Sequence, residues 1–230
     1  MTTTTGLQKV AERAREELAG ATAAEALAWT AATFGDGFIV ASNMQDAVLI
    51  DLAVQAKPDV DVLFLQTGYH FAETVGTRDA VAVTYPSVRI VDAEAEQSVA
   101  DQEAEFGPLN KTDPTRCCFL RKVVPLQRTL AHYDAWVTGV RRVDAPTRAN
   151  TPIVQWDDRN GLVKVNPIAP WTDEEFDGYI AEHGILQNPL VGEGYLSIGC
   201  APCTAKPLPG QDARSGRWAG LAKTECGLHG

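Results

Sequence analysis

No stretch of this 230-residue chain approaches the roughly 18 consecutive apolar residues that a membrane-spanning helix needs. The N-terminus, MTTTTGLQKVAERAREELAG, also lacks the apolar segment of a secretory leader, so the expected compartment is the cytoplasm. Positive charge is in deficit: 20 Lys and Arg face 30 Asp and Glu, a formal net charge of -10, which argues against nonspecific binding to nucleic acid. An anionic ligand must therefore meet local clusters of base, and three are visible: Arg116, Arg121 and Lys122; Arg141 and Arg142; Arg214 and Arg217. Nothing resembling a long flexible linker divides the chain, which favours one domain over residues 1–204 followed by a tail over 205–230. A homo-oligomer is compatible with this composition.

What is present alternates. Two helical stretches open the chain, the second announced by the capping box Thr22 to Glu25 and stopping near Gly35. Phe38-Ile39-Val40-Ala41 reads as a strand, Ser42 to Asp46 as a polar loop, and Ala47 to Ala56 as a buried helix. Val62 to Leu65 is a second strand, followed by a turn and a helix from Phe71 to about Val83. Further strands are expected at Val88–Val91 and Ala135–Thr138, with an acidic connection near Glu94 to Glu105 and a helix over Cys117 to Leu130 between them. Ile153–Trp156 and Leu162–Val165 suggest a hairpin, and Thr172 with Glu175 repeats the capping box. Strands alternating with helices predict an α/β fold with a mainly parallel sheet covered on both faces. Beyond about Leu190 the pattern fades, and the Gly-, Pro- and Arg-rich end reads as a mobile C-terminal tail.

Five cysteines in a chain expected to be cytoplasmic are better read as metal ligands or reactive thiols than as a disulfide framework. Cys117-Cys118 and Cys200-Ala201-Pro202-Cys203 form two close pairs far apart in sequence; four soft thiolates brought together suit zinc or a [4Fe–4S] cluster, with buried free thiols as the plain alternative. Adjacent cysteines do not readily close a disulfide with each other, so Cys117 and Cys118 make a poor redox dithiol. Cys226 is left over, in Glu225-Cys226-Gly227-Leu228-His229. An exposed thiol near positive charge has its pKa lowered, and Arg214, Arg217 or a protonated His229 would activate it as a nucleophile.

The run from Cys117 through Lys122 to Leu126, the Cys200-x-x-Cys203 pair and the terminal Glu225 to His229 together resemble the assimilatory adenylyl-sulfate (APS) and phosphoadenylyl-sulfate (PAPS) reductases. Further matches are Leu65 to His70, Trp136 to Arg142, Asn166 to Trp171 and Gly216-Arg217-Trp218, so the likeness runs from about Phe34 to His229. Gln66 departs from the aspartate common there. The resemblance implies a fold like that of the ATP pyrophosphatases, the adenine nucleotide alpha hydrolase-like group, whose first strand ends in a glycine-rich pyrophosphate loop. Here that loop, Ser42 to Asp46, has no glycine, which disfavours close backbone approach to pyrophosphate and so ATP cleavage.

Carrying both cysteine pairs implies a [4Fe–4S] cluster on Cys117, Cys118, Cys200 and Cys203 and a preference for APS over PAPS. It further implies Cys226 as the nucleophile that takes the sulfonate, with thioredoxin as the external thiol that releases sulfite. Lys122 is expected between cluster and substrate, Arg214 and Arg217 at the sulfate-phosphate end, and Ser42, Gly139 and Arg148 around the adenylate, with His229 beside the nucleophile. His70, His132 and His183 are expected to be structural. The competing readings are an ATP-dependent adenylating enzyme of the same fold and a non-catalytic zinc module.

Overall fold

The computed structural model describes residues 4–218, 223 and 227–228. Among them six strands form one sheet in the order β3-β2-β1-β4-β6-β5. They are β1 Phe38–Ala41, β2 Asp61–Gln66, β3 Arg89–Glu94, β4 Ala135–Thr138, β5 Val154–Asp157 and β6 Leu162–Val165. Neighbours pair in parallel except β5, which lies antiparallel to β6 at the edge. This is the mainly parallel α/β sheet that the alternation predicts.

Helices cover both faces. α1 (Thr4–Glu17) packs on β5 and β6, and α2 (Ala23–Phe34), α3 (Val48–Ala56) and α4 (Ala72–Thr84) accompany the first strands. α5 (Val99–Phe106), α6 (Leu109–Thr112), α7 (Pro114–Cys118) and α8 (Val124–Leu130) fill the passage from β3 to β4, and α9 (Asp173–His183) and α10 (Pro189–Gly192) follow β6. The strand period of two divides the core cleanly. Phe38, Val40, Val62, Val137 and Val163 enter the larger apolar layer, whereas their neighbours Ile39, Leu63, Trp136 and Leu162 enter a smaller one with Leu126 and Leu130 of α8.

Local signals mark the element ends as expected. Thr22 accepts from the Glu25 amide at 3.2 Å and Thr172 from that of Glu175 at 3.1 Å, each completing a capping box. The acidic stretch from Glu94 is the exception, because from Val99 it is helix α5, started by the Ser98 hydroxyl on the Asp101 amide at 3.1 Å. Its one buried residue is Gln102, so no apolar stripe betrays it in the sequence.

From β1 the chain builds outward through β2 to β3, then returns to place β4 on the other side of β1. That reversal opens a crevice at the C-terminal ends of β1 and β4, where open α/β sheets bind ligands.

Candidate active site

α7 begins where the Asp113 carboxylate accepts from the Arg116 amide at 2.9 Å, with Pro114 at the first helical position. The helix runs straight into a π turn over Phe119–Val123 and then into α8. Arg121 and Lys122 lie four residues beyond Cys117 and Cys118, the spacing that puts side chains on one helix face. The second cysteine pair is tied to the segment after β2: the Ala201 amide donates to Tyr69 O at 2.7 Å, and Thr67 Oγ1 lies 3.3 Å from Cys200 Sγ. All four cysteines, unpaired by disulfides, line one small cavity with Arg121 and Lys122. The two pairs, 82 residues apart at their nearest, thus border the same cavity.

Among the described residues, no three His, Cys, Asp or Glu side chains converge as they would on a single metal ion. The donor chemistry can be tested instead. Burial, reinforced by Cys118, Cys200 and Cys203, pushes the Cys117 thiol up to about 11, and burial raises Cys203 as well. Turning such thiols into ligands requires positive charge at their centre. Arg121 points the same way. It is 5% exposed, and its hydrogen bonds go to neutral acceptors, Thr67 O, Gln97 O and Gln102 Oε1. A buried guanidinium whose partners among the described residues are neutral acceptors is stabilised by an anion nearby. Thiolates around a metal group would be that anion, so these residues fit a thiolate-held group.

A second cavity, about 330 Å³, occupies the crevice at the ends of β1 and β4 and adjoins the thiols through Lys122 and Trp218, which line both. Ser42, Gly139, Arg148, Lys122, Arg214 and Arg217, each singled out in the sequence, line it together. Cys226 and His229 lie outside the described residues.

Lys122 and Arg217 are on the cysteine side, since both pull the Cys203 pKa down against its burial. Arg217 lies 4.7 Å over the Trp218 ring and donates to Ile198 O and Ser197 Oγ, both at 3.3 Å. A Cβ on Gly199 would collide with this guanidinium, so glycine is what lets it in. Arg148 is no solvated surface charge: its side chain is 13% exposed and reaches Asp144 at 3.4 Å. Asp144 also holds Arg141 at 2.9 Å, and Arg141 reaches Asp173 at 2.9 Å. Asp46 joins this cluster, its pKa pushed up to about 6 by burial against the pull of the Val48 amide and Arg141.

The glycine-free loop after β1 does without glycine by strain: Met44 takes φ 57° and buries its side chain completely. The Ser42 hydroxyl accepts from the Met44 amide at 3.1 Å, which stabilises that turn. His70 stacks on Phe64 at 4.7 Å and contacts Leu65 O at 2.8 Å through Nε2; burial lowers its pKa, and it lines the crevice as well. Residues 205–218, assigned from sequence to the tail, are partly built into the site. Thr204 bridges Arg217, the Trp218 amide donates to Cys203 O at 3.0 Å, and Trp218 is 2% exposed. Sequence reasoning gave no role to Thr67, Asp46, Asp144 or Trp218; the Gly216-Arg217-Trp218 run was the available signal for the last.

Strand order and cavity position together define an α/β protein with an open crevice at the point where its strand order reverses. More narrowly, the chain belongs to the phosphoadenosine phosphosulfate reductase family, whose domain model matches residues 37–206. An adenosine 5′-phosphosulfate reductase of Rhodococcus opacus is 62% identical over 97% of this chain and 94% of its own. Among solved structures, a PAPS reductase from Candida auris in complex with phosphate superposes with TM-score 0.73 at 26% identity, covering 86% of this chain and 97% of that one. The FMN adenylyltransferase of Candida glabrata shares the fold alone, with TM-score 0.57 at 11% identity over 86% of this chain and 71% of its own.

Proposed function

We propose that this chain reduces adenylyl sulfate to sulfite and AMP in the cytoplasm, with Cys226 as nucleophile, thioredoxin as reductant and a [4Fe–4S] cluster on Cys117, Cys118, Cys200 and Cys203. One observation carries the reading. The four-thiol cavity and the 330 Å³ crevice share Lys122 and Trp218, in a chain 62% identical to a protein named for this reaction.

The chemistry balances with thiols alone. The Cys226 thiolate attacks the sulfur of APS, an S–S bond forms, the S–O bond breaks, and AMP leaves with the bonding pair. A thioredoxin thiolate then attacks Cys226 Sγ, and sulfite departs with the S–S pair; a second thioredoxin thiol resolves the mixed disulfide. Two thiols become a disulfide while sulfur gains two electrons. Lys122, Arg214 and Arg217 are fixed cations for the phosphate-sulfate oxygens, where charge grows as AMP leaves. Ser42, Gly139 and Arg148 contact the adenylate, and His229 attends the nucleophile. When bound, the cluster would supply the positive centre that keeps these four thiols ionised beside Lys122.

APS is preferred because both cysteine pairs are present. The family's name and the Candida auris structure favour PAPS as the second reading. Sulfite release from each nucleotide with reduced thioredoxin decides between them: APS turns over at least about tenfold faster in kcat/KM, a difference of about 1.4 kcal/mol. Cys226→Ser abolishes sulfite formation while AMP binding persists; turnover in that variant rejects the assigned nucleophile.

A further inference from the structure

The proposed mechanism asks the chain end to deliver a thiol to the crevice and then surrender it to a partner, so something must seat that end while sulfonate transfers. We infer that the β5–β6 turn is the seat and that Arg159 is a positioning residue for sulfonation, acting with the apolar patch that receives Leu228. The inference rests on reading Cys226 as the nucleophile.

The Arg159 guanidinium donates through Nη1 to the carbonyl oxygen of Gly227, the residue bonded directly to Cys226. Its turn is pinned. Asp157 accepts from the Asn160 amide at 3.2 Å, from Asn160 Nδ2 at 2.7 Å and from the Trp136 indole at 3.1 Å, and its carbonyl takes the Gly161 amide at 2.8 Å. Arg159 is therefore presented from a fixed point on the sheet, although it is itself exposed.

Gly227 has φ 81°, a left-handed conformation that glycine adopts without strain. Beyond it Leu228 packs half-buried against the smaller apolar layer of Ile39, Leu126, Trp136 and Leu162, and lines the crevice. Among the described residues, Gly227 and Leu228 are held here by one hydrogen bond to a backbone carbonyl and one half-buried side chain, a hold that orients yet lets go. A thiol that must visit two partners needs both properties. Arg159 is not among the residues lining the crevice, so its effect falls on the chain end and not on the nucleotide.

The test uses the full chain with its metal group in place, mixed with APS without reductant, and follows S-sulfonation of the C-terminal peptide by mass spectrometry in a single turnover. For Arg159→Gln, the rate at saturating APS falls about tenfold, the effect of one lost charge-assisted hydrogen bond, while AMP affinity stays within about twofold of the parent. Arg159→Lys restores part of the rate, and Leu228→Ala slows it in the same direction. An Arg159→Gln rate within about twofold of the parent overturns the inference. So does a parallel loss of AMP affinity, which would mark a general structural defect. Absence of any adduct on the unmodified chain removes the Cys226 reading itself, and the seat with it.

Discussion

A carboxylate facing an anion's cavity opposes binding unless it is neutral or matched, and Asp46 is held between those states. Burial raises its pKa to about 6, with Asp144 adding to the rise and Arg141 opposing it. In the folded chain the proton is bound more tightly than in the unfolded one. Its contribution to stability is therefore complete below the ordinary carboxylate pKa and is lost as pH rises through about 6. Affinity for an anion follows the same sign. Binding of APS to the Cys226→Ser chain, measured by calorimetry from pH 5 to 7.5, is expected to weaken as pH rises through about 6, and Asp46→Asn to flatten that dependence. None of this was legible in sequence, where Asp46 is one acid in a polar loop; only the fold brings Arg141 and Asp144 to it. The cysteines are the opposite case. Their residue type and pairing announced their grouping before any geometry was known.

The helix that carries Cys117 and Cys118 runs on into the π turn that carries Arg121 and Lys122, and that turn sets how the cysteine pair sits relative to α8. A π turn holds one residue more than an α turn, and such insertions concentrate at functional sites. Deleting Phe119 closes the turn to α-helical hydrogen bonding and shortens the Cys117 to Arg121 and Cys118 to Lys122 spacings from four residues to three. Iron per chain is then expected to fall close to zero with little change in helical circular dichroism, whereas retained iron would show that the turn is dispensable. The sequence foretold a helix over Cys117 to Leu130 but not this widened turn, because one extra residue leaves no trace in a periodicity read over so short a span. For the same reason α5 escaped notice: a single buried glutamine is no apolar face. The capped helices α2 and α9 and the β5–β6 hairpin were legible, since their signals are local.

For the molecule as a whole, the two cysteine pairs join the passage before β4 to the segment beyond α10. A group bound to both closes a loop of roughly 80 residues, worth about 4 kcal/mol in chain entropy by analogy with a disulfide. Stripping iron with a chelator under reducing conditions is therefore expected to lower Tm by on the order of 10 °C, at roughly 2–4 °C per kcal/mol for a chain of this size. An unchanged Tm would show that the four thiols hold nothing structural. What the amino-acid sequence determined by itself was the alternation of strands and helices, their caps, and the stock of thiols and bases. These are properties of neighbours a few residues apart. The tertiary structure alone decided that Lys122 and Trp218 border both cavities, that Arg121 lies buried against neutral acceptors, and that Arg159 reaches the chain end. Each of those contacts joins residues whose separation along the chain carries no information about their distance in space, which is set by how the sheet reverses its strand order.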